Sequence, residues 1–174
     1  GENVEEAIIT GVSVDLSEAK ITVVGIPDVP GMAAQIFTIV AAAEANIDMI
    51  VQNVSTASGR ADISFTLPMA DGARVLQALN GRQEDVGFES LQYDDQIGKL
   101  AVVGAGMRTN VGVSAKLFTA LYEAGINIEM ISTSEIRISV VTRADSINDA
   151  VRVVHSAFEL DGEDEAQVYG GTGR

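Results

Sequence analysis

Apolar positions along this chain change period in a fixed order. Residues 20–26 (K-I-T-V-V-G-I) are a short β-branched run closed by a turn rich in Pro and Gly, which predicts a strand. From Pro30 the period lengthens, and Ala33, Ile36, Phe37, Val40 and Ala41 recur at helical spacing. Ile47 to Val54 is apolar and β-branched again, Ser58-Gly59 offers a hairpin turn, and Ala61 to Leu67 returns as a strand. Val75, Leu76 and Leu79 then share a helical face within residues 71–80, and Gly87 to Tyr93 supplies a last strand.

The same order follows a second time. Leu100 to Val103 predicts a strand, and Val113 to Ala124 a helix with Leu117, Phe118 and Leu121 inward. Ile128 to Ser132 and Ile136 to Val141 pair through a tighter turn. Asp145 to Phe158 reads as a helix capped by Asp145 or Ser146, and Ala166 to Tyr169 as a closing strand. The copies align at a constant offset of residues: Gly31 with Gly112, Phe37 with Phe118, Asn46 with Asn127, Met49 with Met130. Past the hairpin the offset shortens, as Leu76 with Val151 and Leu79 with Val154 show, so the deletion falls in the turn. Each copy is β-α-β-β-α-β, and the expected class is α+β: two ferredoxin-like units, each an antiparallel sheet with helices on one face. A duplicated fold offers a natural pair of ligand sites.

Residues 6–14 (E-A-I-I-T-G-V-S-V) form an additional strand that neither copy needs, and Asp94-Asp95-Gln96-Ile97-Gly98 marks a joint. The expected divisions are an N-terminal segment 1–19, a first domain 20–95, a second 96–170 and a loose tail 171–174. The chain has 174 residues, and its 47% apolar content with few aromatics makes a core of Val, Ile, Leu and Ala. Copies this small bury a modest fraction of their surface, so docking between copies or chains is expected. A net charge of −14 speaks against nucleic acid and against an anionic membrane surface. No run reaches the ~18 apolar residues of a spanning helix, and the expectation is a soluble, cytoplasmic protein.

Catalytic chemistry is not legible. With no cysteine and a single histidine, thiol catalysis and thiolate metal sites are excluded, and no calcium-loop spacing occurs. His155 stands among Val153, Val154 and Phe158 without a catalytic partner, so a structural role is expected. The acidic groups Asp94/Asp95 and Glu163/Asp164/Glu165 read as solvated charge, and G-A-G-M at 104–107 is neither a dinucleotide nor a phosphate loop. No cofactor and no metal are expected.

The turns do offer a place for a small zwitterion. Helices starting near Pro30 and Val111 present backbone N–H groups and a positive dipole end to a carboxylate. Asp28 precedes the first of these and can hold an ammonium, Gly31 permits close backbone approach, and Gln52 and Asn53 end the next strand. The second copy holds Met107 or Arg108, Thr133 and Ser134 at these places, which predicts two unlike sites. The opposing reading is that Asp28 merely caps a helix and Gln52 faces solvent.

N-I-D-M at 46–49, N-I-E-M at 127–130, I-S-T-S-E-I-R-I-S at 131–139, V-V-G-A-G-M at 102–107 and Y-D-D-Q-I-G-K at 93–99 resemble the regulatory part of aspartate kinase. The closing Y-G-G-T-G-R is similar to the Y-A-G-T-G-R ending of that enzyme's separate regulatory β subunits. The resemblance implies tandem ACT domains that sense amino acids, the first inserted in the second, so that residues 6–14 supply a strand to the C-terminal one. It also implies a homodimer with effectors at ACT–ACT seams, joined to catalytic α subunits as α2β2. The α subunit's Lys-Phe-Gly-Gly motif has no counterpart in this sequence, so no catalysis is placed here.

The family's effectors are threonine and lysine acting together. Carried over by motif, the threonine site comprises Asp28, Gly31, Met32, Ala33 and Gln52, closed by Asn127 and Ile128 of a facing domain. The mirror site, where Glu135 is the natural partner for a lysine ammonium, comprises Met107, Ser114, Thr133, Ser134 and Glu135 with Asn46, Ile47 and Ser55 opposite, and which effector takes which seam stays open. The first hairpin (S-T-A-S-G-R) is shorter than the family's, which alters the rim beside Ser55. Two rivals remain: a free-standing ACT–ACT sensor for another enzyme or regulator, and a small enzyme on a ferredoxin-like scaffold.

Overall fold

The computed structural model describes residues 8–55, 57–106, 111–158 and 168–170. Met107, Arg108, the Glu163–Glu165 acidic group and the tail 171–174 lie outside the described residues. The chain forms two compact units: an inserted one, Glu18–Asp95, and a flanking one built from the segments on either side of it.

The first strand, β1 (Ile8–Asp15), belongs to the flanking unit. The inserted unit runs β2 (Glu18–Pro27), α1 (Met32–Ala42), β3 (Ile50–Ser55), β4 (Arg60–Pro68), α2 (Gly72–Asn80), a single turn α3 (Gln83–Val86) and β5 (Ser90–Asp94). Its strands lie in the order β3-β4-β2-β5 with every neighbouring pair antiparallel, the ferredoxin-like arrangement. Alternation along β2 buries Ala19, Ile21 and Val23, and along β4 Ala61, Ile63, Phe65 and Leu67. These meet Ile36, Ile39 and Val40 of α1 and Val75 and Leu79 of α2 in one core. Phe37 sets its ring edge against Phe65, centroids 5.7 Å apart.

The far end of α1 has a notable closure. Glu44 takes the left-handed conformation (φ 62), and the carbonyls of Ala43 and Glu44 accept hydrogen bonds from Arg74 at 2.6 and 3.2 Å. In the second copy the corresponding position is Gly125, also left-handed (φ 75).

The flanking unit continues with β6 (Ile97–Ala105), α4 (Val111–Glu123), β7 (Met130–Thr133), β8 (Arg137–Arg143), α5 (Ile147–Ala157) and β9 (Val168–Gly170). Its sheet has five strands in the order β7-β8-β6-β1-β9. The place next to the first strand of the copy, held by β5 in the inserted unit, is held here by β1, antiparallel to β6 from Ile8↔Ala105 to Asp15↔Lys99. Residues 168–170, which overlap the expected closing strand at Val168 and Tyr169, sit one place further out and run parallel to β1. A long ladder outcompetes a three-residue one for the central position, because each paired residue satisfies backbone groups that the core would otherwise strand. The core gathers Val12, Leu100, Val102, Leu117, Leu121, Ile138, Val140, Ile147, Ala150 and Val154.

Helix α5 is entered through a 3₁₀ turn, Ala144–Ser146, and neither Asp145 nor Ser146 makes a side-chain cap. His155 is buried in α5, and its Nε2 has no hydrogen-bond partner among the described residues. Among the described residues no helix is long and apolar enough to cross a membrane.

Candidate functional site

In the inserted unit, β2 and β3 both run antiparallel to β4, so their C-terminal ends meet at one end of the sheet. The turn from β2 to α1, carrying Asp28 and Gly31, and the end of β3, carrying Gln52, therefore share that end. Gly31 is the N-cap of α1 with φ 94, no side chain caps the helix, and its first turn holds no acidic residue. Asp28 is consequently not the cap. It is exposed, its N–H donates to the Gly59 carbonyl at 3.1 Å, and its carboxylate makes no hydrogen bond or ion pair among the described residues. An uncapped helix start beside a free carboxylate can take both charges of an amino acid: N–H groups for the carboxylate, Asp28 for the ammonium. Met32 and Ala33 pack partly into the core and so hold the first turn still.

Gln52 pairs with Ile63, a buried core residue, which places it on the helix-covered face. Asn53 pairs with Asp62 and turns to the other face, as does Ser55 opposite Arg60. Gln52 and Asn53 lie near the same end of the sheet, and the pleat turns them to opposite faces.

The flanking unit repeats the layout. Thr133 ends β7 opposite buried Ile138, on the face that Gln52 occupies in the first copy. Ser134 donates its N–H to the Arg137 carbonyl at 2.8 Å, and Glu135 stands exposed in the turn. Ser114, half-buried, lies in the first turn of α4. Met107 cannot be placed, being outside the described residues.

The remaining site residues lie at the opposite ends of the two sheets. Asn46 and Ile47 precede β3, and Asn127 and Ile128 precede β7; the asparagines are exposed, while the isoleucines pack on their cores. Neither unit by itself brings these residues to the Asp28 or Thr133 end.

Sequence reasoning missed a cluster on the uncovered face of the inserted sheet. There Arg60, Asp62 and Glu89 surround Gly25 and, with Ser55 and Ser58, line a cavity of about 340 Å³. The signal available was a glycine inside a β-branched strand, which marks a bulge. Elsewhere, burial, with the Asp95 carboxylate adding to it, raises the Tyr93 phenol above its ordinary value. Among the described residues no three metal-ligating side chains converge.

Comparison with known proteins agrees with this geometry. The ACT domain family matches residues 21–83 and 100–158. The aspartokinase of Mycolicibacterium smegmatis is 53% identical over 171 residues, covering 98% of this chain and 41% of that protein. The aspartokinase of Corynebacterium glutamicum is 53% identical over 172 residues, with the same coverage of 98% and 41%. The chain thus spans about two fifths of these relatives. A crystal structure of aspartokinase alpha and beta subunits superposes with a TM-score of 0.81 at 47% identity, over 87% of this chain and 99% of that one. The ligand-free regulatory subunit of aspartate kinase from Thermus thermophilus gives 0.81 at 40% identity, over 86% and 99%.

Proposed function

This chain belongs to the ACT-domain family, in the tandem form of the aspartate kinase regulatory subunit, and we propose that it is a non-catalytic amino-acid sensor for that kinase. Threonine is the effector at the Asp28 end, with Gly31, Met32, Ala33 and Gln52, and Asn127 and Ile128 of a second copy close it. The mirror site of Ser114, Thr133, Ser134 and Glu135 takes lysine, whose second ammonium Glu135 can neutralise; Met107, with Asn46 and Ile47 opposite, completes that set, and Ser55, at the other end of β3 from Asn46 and Ile47, falls outside it. Two copies pair as a homodimer and associate with catalytic subunits as α2β2 in the cytoplasm.

The observation that carries this reading is the start of α1: an uncapped helix of 11 residues entered through a left-handed glycine, with a carboxylate three residues earlier that has no partner among the described residues. The edge strand β3, with Ile50 and Val54 about half exposed, supports pairing with a second copy. Inhibition then follows as a population shift. Threonine favours one setting of the paired sheets and lysine reinforces it, with a coupling of ~1–3 kcal/mol, enough for roughly 5–150-fold changes in affinity.

The test is calorimetric titration of the chain with threonine and, separately, lysine, with its mass in solution followed throughout. Threonine binding that shifts the mass to a dimer supports the reading. Asp28→Ala removes the carboxylate that holds the ammonium, and a charge-assisted hydrogen bond is worth ~1.5–3 kcal/mol, so affinity should fall at least about tenfold. Unchanged affinity in that variant would sink the site assignment.

A further inference from the structure

Gly25 is where β2 leaves its ladder. The pairing of β2 with β4 shifts register between Val23 and Ile26, and Gly25 takes φ 73 to make the bulge. Both backbone groups of Gly25 are bonded by β4 side chains. Its N–H donates to Asp62 Oδ1 at 2.9 Å, and its carbonyl accepts from Arg60 Nη1 at 2.8 Å. The same Arg60 nitrogen reaches the Gly87 carbonyl at 3.2 Å, and Nε lies 3.9 Å from Glu89 Oε2. Pairing resumes with Ile26↔Ala61 and Pro27↔Arg60, and then Asp28 N–H meets the Gly59 carbonyl. Gly25 is thus the bulge that precedes the turn carrying Asp28 and Gly31.

We propose that Arg60 is a positioning residue of the effector site. From the uncovered face of the sheet it clamps the Gly25 carbonyl and so fixes the turn that carries Asp28 to the start of α1. Arg60 touches no ligand; it acts through Gly25. Guanidinium suits the task because Nη1 holds its two N–H donors in fixed in-plane directions, one for each carbonyl, whereas a lysine ammonium is a rotatable point charge on a flexible stem. The inference rests on the reading of Asp28 and Gly31 as effector ligands, and the experiment separates the two.

L-threonine is titrated into the wild-type chain, Arg60→Lys, Arg60→Ala and Asp28→Ala, at a temperature where circular dichroism shows each one folded. Amide hydrogen exchange at Asp28 is followed in parallel. The expected order of affinity is wild type, then Arg60→Lys, then Arg60→Ala, the last at least about tenfold weaker than wild type. Exchange at the Asp28 amide quickens in the same order. A purely structural arginine would lower the melting temperature and leave the affinity of the folded protein unchanged.

Affinity within about twofold of wild type in Arg60→Ala, while Asp28→Ala loses binding, overturns the proposal. If the wild type itself ignores threonine, the effector reading fails, and exchange alone decides the clamp: unchanged protection at Asp28 overturns it, faster exchange upholds it. Should Arg60→Ala not fold, Arg60→Gln replaces it, keeping a donor without the reach, and wild-type affinity there overturns the proposal equally.

Discussion

Glu44→Gly should stabilise this protein, and the duplicated fold supplies the control. Glu44 closes α1 in the left-handed conformation at φ 62, where a residue with a Cβ is strained by ~1–2 kcal/mol. Glycine removes that strain but costs roughly 0.5–1 kcal/mol in unfolded-chain entropy. The Glu44 side chain makes no hydrogen bond or ion pair among the described residues, and its carbonyl bond to Arg74 at 3.2 Å survives the change. A negative charge just past a helix C-terminus also opposes the macrodipole, and its removal gains a few tenths of a kcal/mol. The net expectation is a gain of about 0.5–1.5 kcal/mol, or several degrees in melting temperature for a unit of this size. Glu44→Gln separates the terms, because it removes the charge and keeps the strain. Gly125→Ala is the reverse experiment in the second copy: at φ +75 an added Cβ meets nothing within 4 Å, so strain is introduced without a clash and is only partly offset by the glycine's recovered entropy. Urea denaturation reads all three variants. A loss of stability in Glu44→Gly, or a gain fully reproduced by Glu44→Gln, refutes the argument.

Other perturbations read other parts of the structure. Gly25→Ala should cost about 2 kcal/mol: ~1–2 for a side chain at positive φ, plus up to ~1 for displacing Glu89 from Arg60. The new Cβ would lie 2.4 Å from Glu89 Cδ, so Gly25→Ala/Glu89→Ala should retain only the backbone part when both are compared by urea denaturation. For Tyr93, burial first and then the Asp95 carboxylate raise the phenol's folded pKa. Its contribution to stability is therefore present below the unfolded value of about 10 and lost as pH rises through the raised folded value. Phenolate absorbance should show Tyr93 ionising late and Asp95→Asn bringing it earlier, while Tyr93→Phe should blunt the loss of stability at high pH.

What could be read from sequence, and what could not, divides along a physical line. The helical period at Ile36, Phe37 and Val40, and its echo at Leu117, Phe118 and Leu121, reports burial, and burial is what the helices in fact show. Period is silent about neighbours. It marks residues 6–14 as a strand and 166–169 as another, but not that β1 would lie beside β6 with the short β9 outside it; competition between ladders decides that. Turn chemistry failed where a capping side chain was expected at Asp145 or Ser146, because a 3₁₀ turn leads into the helix there.

The candidate site divides in the same way. That Asp28, Gly31 and Gln52 share one end of the sheet was legible because the order of turn, helix start and strand follows from the element order alone. The strict alternation of a strand should already have set Asn53 apart from Gln52. Arg60 was not legible at all, since its role depends on a register shift at Gly25 that brings a β4 side chain to a β2 carbonyl 35 positions earlier. The two copies also show how candidate-site chemistry can differ while the folds agree. Gln52 and Thr133 hold equivalent places on the helix-covered face, each opposite a buried isoleucine, Ile63 and Ile138. The isoleucines are constrained by packing, whereas the exposed polar residues beside them are not. A duplicated fold can therefore keep one scaffold and alter its chemistry at the strand ends without disturbing either core.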